Sequence, residues 1–303
     1  MSESSLDSNA VLPGSVVVGI DGSRAALGAA LWAGQIAHLR HVPLVVVYAV
    51  SAAQYFGRAE TSIESVLSRH EHEQSKWLIA HAASMVRRRN PGLRVSWLIR
   101  PGSGPDVLID LSARAGLIVV GATGRSTIRA RLLGSTASAV CNRASCPVAV
   151  VHRSAEPSER HRMRNLPVVV GIDGGPSSER AVANAFEYAS MLGAPLLAVH
   201  TWLANELPYG TEVSSDGDAE REEALLAECL AGWQEKFPDV TVERVCTEGN
   251  PLVELSARAA QARMVVVGSH GRGPLTSLLL GSTSRGLVHR APCTVLVCRT
   301  RSV

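Results

Sequence analysis

The chain repeats itself. Val16–Ser23 reads VVVGIDGS and Val168–Gly175 reads VVVGIDGG. Residues 121–136, GATGRSTIRARLLGST, are matched by residues 268–283, GSHGRGPLTSLLLGST, within a longer correspondence of Val119–Val151 with Val266–Cys298. A period this long is no solenoid repeat; it means two whole domains in tandem. With 303 residues, each copy is long enough to bury its own core. Between the copies lies HRSAEPSERHRMRNL, from His152 to Leu166, charged and without apolar periodicity. The expected organisation is a disordered N-terminus over 1–15, a first domain over 16–152, a linker over 153–166 and a second domain over 167–300.

Within the first copy, apolar runs alternate with amphipathic stretches. Val16–Ile20, Leu44–Val50, Leu93–Ile99, Leu117–Gly121 and Pro147–Val151 read as strands. Leu27, Leu31 and Gly34 recur at helical spacing, with Ser23 as N-cap. Ile63, Val66, Leu67, Trp77, Leu78 and Met85 mark a long helix ending at Asn90-Pro91; Pro105–Ala115 and Ser135–Ala144 read as short helices. The second copy gives the same order. The strands are continuous apolar runs, as expected where both faces of a parallel sheet are covered. The predicted fold is α/β: two tandem, doubly wound, open five-stranded parallel-sheet domains of Rossmann-like type.

Composition agrees and narrows the function. Apolar residues make up 46% and aromatic residues 4%, which fits Val/Ala/Leu layers better than an all-β sandwich. The net charge is +3 with signs mixed throughout, so no nucleic-acid-binding patch is expected. The opening MSESSLDSNA is polar, unlike a secretory signal, and no apolar run approaches the ~20 residues of a membrane helix, so a cytoplasmic protein without membrane insertion is expected. None of the six cysteines forms a CxxC pair. In Cys141/Cys146 and Cys293/Cys298 one member is expected on a helix and the other on or near the next strand, as small buried hydrophobes.

In such folds ligands bind beyond the carboxyl ends of the strands, where the strand order reverses. Asp21 and Asp173 follow the first strand of each copy, after Gly19 and Gly171, and the glycine loops begin where the fourth strand ends. Gly121 and Gly124 let the backbone turn and approach a ligand. Gly134 precedes a helix opening with Ser135 and Thr136, whose unpaired N–H groups attract anions. Arg125, Arg129 and Arg131 can neutralise charge. The loop chemistry therefore suits phosphate. A P-loop is excluded because the only lysines, Lys76 and Lys236, lie away from the glycines, and GxGxxG is missing after the first strand.

The arrangement resembles the universal stress protein family in its tandem form, over nearly the whole chain beyond residue 15. The family's nucleotide-binding pattern is Gly, two residues, Gly, nine residues, Gly, then Ser or Thr. It is complete at Gly121, Gly124, Gly134 and Ser135, and again at Gly268, Gly271, Gly281 and Ser282, which Thr283 follows. The resemblance implies two ATP sites, with Mg²⁺ able to bridge the phosphates. Adenine and ribose would lie near Asp21 and Asp173, the backbone at Ala49 and Thr201 would touch adenine, and the glycine loops would wrap the phosphates. It also implies a homodimer and a regulator of stress or dormancy that an unidentified protein partner senses.

The first loop carries three arginines; the second carries Arg272, with His270 beside it, so the first site is expected to hold the triphosphate more tightly. His270 faces Thr123 in the alignment of the copies, which is weak support for shared catalysis. His200 reads as pocket-lining or as a satisfied core histidine, His70-Glu71-His72 as a solvated face, and Trp32, Trp77 and Trp233 as core or interface. A nucleotide-binding enzyme (a slow ATPase or an adenylate transferase) and an interaction module with empty loops are the rival readings.

Overall fold

The computed structural model describes residues 11–50, 62–124, 133–152, 165–203, 216–271 and 280–299. The chain divides into two compact units, residues 1–154 and 155–303. The first contains β1 (Val16–Ile20), α1 (Arg24–Leu39), β2 (Leu44–Val50), α2 (Ser62–Arg89), β3 (Val95–Pro101), α3 (Gly104–Ser112), β4 (Leu117–Gly121), α4 (Ser135–Arg143) and β5 (Val148–Val151). The second contains β6 (Val168–Ile172), α5 (Pro176–Leu192), β7 (Leu196–Trp202), α6 (Asp216–Leu230), a single turn α7 (Trp233–Lys236), β8 (Val242–Glu248), α8 (Pro251–Ala259), β9 (Met264–Gly268), α9 (Ser282–Arg290) and β10 (Thr294–Cys298).

Every strand pair within each unit is parallel. The order is β3-β2-β1-β4-β5 in the first and β8-β7-β6-β9-β10 in the second. The chain builds outward from β1 to β3, then crosses back to β4, so the order reverses between β1 and β4. The expected α/β class and parallel sheet are thus found. Central strands are buried along most of their length: Val16, Val17, Val18, Leu117, Ile118 and Val119 are all fully enclosed. That is why they read as unbroken apolar runs.

Helix α1 differs from its expected face. Leu27 and Leu31 stay half-buried, while Ala26, Ala29, Ala30, Ala33, Gly34 and Ala37 form the buried stripe. Small side chains bring the helix close to β1 and β4. Ser23 caps it as expected, its hydroxyl accepting from Ala26 N–H at 3.1 Å. Strand β3 begins at Val95, two residues later than expected, because Leu93 N–H closes a turn onto Asn90 O at 3.2 Å and Gly92 adopts φ +84°. Of the two readings given for Trp77, core or interface, the structure removes the core one: the residue is 64% exposed and its ring stacks on His81 one helical turn away. Trp233 does pack, in a three-ring cluster with Phe186 and Phe237, which also stack on each other.

The cysteines also depart from expectation in part. Cys141 lies on α4 and Cys146 just before β5, but Cys293 and Cys298 flank or lie on β10, with neither on a helix. Helix α9 ends at Arg290, three residues before Cys293, so Cys293 falls just ahead of β10 and Cys298 at its end. Four of the six are buried, Cys229 and Cys246 are half-buried, and none is in a disulfide. Among the described residues no helix is long and apolar enough to cross a membrane.

Candidate functional site

The turn after β1 shows how local sequence builds the site. Gly22 takes φ +83° and Gly174 takes φ +77°, left-handed conformations that glycine adopts without strain. This lets the aspartate side chain fold back on its own backbone. Asp21 Oδ1 accepts from Ser23 N–H at 2.9 Å, and Asp173 Oδ1 from Gly175 N–H at 2.8 Å. The second carboxylate oxygens face the glycine loops: a Cβ on Gly124 would lie 3.0 Å from Asp21 Oδ2, and one on Gly271 would lie 3.2 Å from Asp173 Oδ2.

Register explains the other glycines. Val16 pairs with Leu117 and Val18 with Val119, so Gly19 and Gly121 point to opposite faces of the sheet. Gly19 meets α3, where a Cβ would lie 2.6 Å from Leu108 Cδ1; Gly171 meets Leu255 in the same way at 2.8 Å. Gly121 meets the start of α1, 2.8 Å from the carbonyl carbon of Ala25, and Gly268 meets Ser177 at 2.9 Å. Each loop returns to its own start. Gly134 N–H donates to Ala122 O at 2.7 Å, and Gly281 N–H to Ser269 O at 2.9 Å.

The helices that follow begin without a side-chain cap. Gly134 is the N-cap of α4 and Gly281 that of α9, and neither helix receives a capping hydrogen bond from a side chain there. Each presents unbonded N–H groups and the positive end of its dipole at the end of the sheet.

In the first unit these parts enclose a cavity of about 250 Å³. Its wall includes Gly19, Asp21, Ala49, Gly121, Gly124, Gly134 and Thr136, which the sequence singled out together. It also includes Val47, Gly104, Leu108, Thr123 and Ala137, which it did not. Gly104 opens α3 within a Gly-Ser-Gly-Pro stretch, a signal that was available; the others carry none. Ser135 is exposed at the first turn of α4 rather than on this wall. In the second unit Gly171, Asp173, Thr201, Gly268, Gly271, Gly281, Ser282 and Thr283 hold the corresponding places in matching elements. Arg125, Arg129, Arg131 and Arg272 lie outside the described residues.

His200 is a core histidine, 2% exposed. Its Nδ1 lies 2.7 Å from Ile172 O and its Nε2 2.6 Å from Glu222 Oε2. A carbonyl only accepts, so Nδ1 carries the donated proton. The pair ties α6 to the strand that ends at the second aspartate. His270 is half-buried in the second loop, its Nδ1 2.9 Å from Ser269 Oγ.

A model of the universal stress protein family matches residues 14–152 and again 165–299. A universal stress protein of Mycobacterium tuberculosis strain H37Rv is 37% identical over 289 residues, covering 94% of this chain and 96% of the relative. One from Mycolicibacterium smegmatis is 37% identical over 294 residues, covering 94% and 97%. Among solved structures, a universal stress protein from Archaeoglobus fulgidus superposes with a TM-score of 0.68 over 94% of this chain and 97% of its own, at 18% identity, a likeness of fold.

Proposed function

The chain belongs to the universal stress protein family, and from that premise we propose that each unit binds ATP at the carboxyl end of its sheet, making the protein a nucleotide-dependent regulator of stress adaptation. One observation carries the reading. A single cavity brings the aspartate after β1, the backbone at Ala49, the glycine loop and the uncapped start of α4 onto one wall. An uncapped helix start suits phosphate, a carboxylate suits ribose hydroxyls, and strand-end backbone suits the base edge. Among the described residues no group of three or more His, Cys, Asp or Glu is placed to hold a metal ion; Mg²⁺ that accompanies the nucleotide is carried by the phosphates. Nucleotide occupancy biases a conformation or interface that a partner reads, and the assembly is a two-fold homodimer.

The test is the nucleotide content of the protein. Purified chain is denatured and its adenine nucleotides are quantified per chain, then stripped protein is titrated with ATP and Mg²⁺. Binding that is lost in part in Asp21→Ala and in part in Asp173→Ala supports the reading. No bound nucleotide and no measurable affinity refutes it and favours an interaction module. Recovery of ADP together with steady turnover moves the assignment to an ATPase.

A further inference from the structure

We infer that Glu222 is a positioning residue of the second nucleotide site. Through His200 it holds the peptide that aims Asp173, by a hydrogen bond that exists only while the two side chains share a proton. ATP binding in the second unit therefore weakens as pH rises, and the first unit, with Tyr48 in place of His200, has no such coupling. The inference rests on the ATP reading above and adds a control to one of its two sites.

The peptide between Ile172 and Asp173 is held at both of its polar ends by side chains. Its carbonyl, Ile172 O, accepts from His200 Nδ1 at 2.7 Å, and its N–H, on Asp173, donates to Ser178 Oγ at 3.1 Å. A peptide unit is planar, so the two bonds fix its plane and with it the direction in which the Asp173 side chain leaves the backbone. His200 and Ser178 are both buried. Their counterparts in the first unit, by the shared Gly-Ile-Asp stretch and the strand register, are Tyr48 and Ala26, and both of those lie on the cavity wall.

The hydrogen-bond geometry fixes the number of protons. Ile172 O can only accept, so Nδ1 carries a hydrogen. Nε2 lies 2.6 Å from Glu222 Oε2, a separation that requires a hydrogen between them. Either an imidazolium donates to a carboxylate or a carboxylic acid donates to a neutral ring. In both forms the pair holds one proton more than a neutral imidazole and a carboxylate. Without it, two lone pairs face each other at this distance. The Glu222 side chain is 22% exposed and turns to water, and the ring loses the partner that orients it. The folded site binds a proton that the separated groups release as pH rises, so the hold is present at low pH and is lost on going up.

The other titratable and charged groups come from each element packed around the pair. On β8, Cys246 is the register partner of His200; its thiol is raised from 9.0 by burial, then by Glu223 and Glu222. Glu243, Arg244 and Glu248 on the same strand are exposed. On α6, Arg221 and Glu223 flank Glu222 and are exposed, and Asp218 lies one turn earlier, half-buried. On β6, Asp173 accepts from Gly175 N–H. On α5, Tyr188 is buried and Glu179, Arg180 and Glu187 are exposed. Helix α8 packs on the opposite face of the sheet, where Leu255 meets Gly171 and Arg258 pairs with Glu254 at 3.4 Å.

The experiment is isothermal titration of ATP and Mg²⁺ into the full-length protein at pH 6 and pH 9. Asp21→Ala keeps the second site. Asp173→Ala keeps the first, and its change between the two buffers corrects for the ionisation of ATP itself. After that correction, binding to Asp21→Ala should be about tenfold weaker at pH 9, the effect of one charge-assisted hydrogen bond. Adding Glu222→Gln should flatten the profile while binding persists, because a glutamine amide donates to neutral Nε2 without any shared proton. The pH comparison in Asp21→Ala needs no change at residue 222, so it stands even if Glu222→Gln fails to fold.

Equal corrected affinities at the two pH values, or a pH dependence that survives Glu222→Gln, overturns the inference and leaves the ATP reading intact. No ATP binding in either unit at either pH overturns the ATP reading, and the positioning role with it.

Discussion

Replacing Gly121 by alanine tests the geometry of the site most directly. A methyl group there would meet three backbone atoms of the first turn of α1: Ala25 C at 2.8 Å, Ala26 N at 2.9 Å and Ala25 O at 3.0 Å. No flexible side chain can swing away, so the helix start must shift from the sheet, together with the Asp21–Ser23 turn that leads into it. Overpacking of this kind costs about 1–3 kcal/mol. In a unit of this size each kcal/mol moves the melting temperature by roughly 2–4 °C, so a fall of roughly 4–8 °C is expected near the middle of the range. Gly134→Ala is the matched control. Its methyl would lie 3.4 Å from the nearest atom, and its φ of −65° and ψ of 149° suit alanine. Its cost is limited to a poorer N-cap, under about 1 kcal/mol. Calorimetry of both nucleotide-free variants decides the matter, since bound ligand would add its own stabilisation. If Gly121→Ala melts with the wild type, or above Gly134→Ala, the argument from close helix–sheet approach is wrong.

Other expectations concern the rest of the chain. His200→Ala strands Glu222 and Ile172 O and should destabilise the second unit by about 2–4 kcal/mol in urea unfolding, an effect absent from the exposed His81→Ala. Only thiolates alkylate, and burial pushes the Cys293 thiol up to about 12, so at pH 8 it stays protonated and unlabelled in the folded protein. The Cys246 thiol is raised by burial and then by Glu223 and Glu222, so mass spectrometry should find it labelled faster once both glutamates are changed to glutamine. Asn250 accepts from Leu252 N–H at 2.9 Å at the start of α8; Asn250→Ala should cost about 1 kcal/mol by thermal unfolding without altering ATP binding in the first unit.

Much of this protein is legible in its sequence. Strand and helix alternation can be read because strands covered on both faces must be apolar throughout, and the duplication can be read because both copies keep the same glycines. Part of the cavity wall of the first unit was legible for the same local reason: the turn at Gly22, the strand ends at Asp21 and Gly121 and the helix start at Gly134 each leave a mark within a few residues, whereas Ala49 came from the resemblance and Val47, Leu108 and Ala137 left none. Helix faces were less legible. The α1 stripe of alanines carries little hydropathy signal, and Leu27 and Leu31 drew attention to the wrong side.

By itself the sequence determined the fold class, the tandem arrangement and the glycine, aspartate and hydroxyl groups available to a ligand, because these follow from periodicity and turn chemistry along short stretches of chain. Only the tertiary structure decided which of them meet. That β1 lies beside β4, that Gly19 and Gly121 serve opposite faces, that Glu222 reaches His200 and that Ser177 reaches His270 across 93 residues all depend on the path of the chain. Contacts between residues so far apart are fixed by strand order and packing, and they leave no pattern in the local sequence at either end.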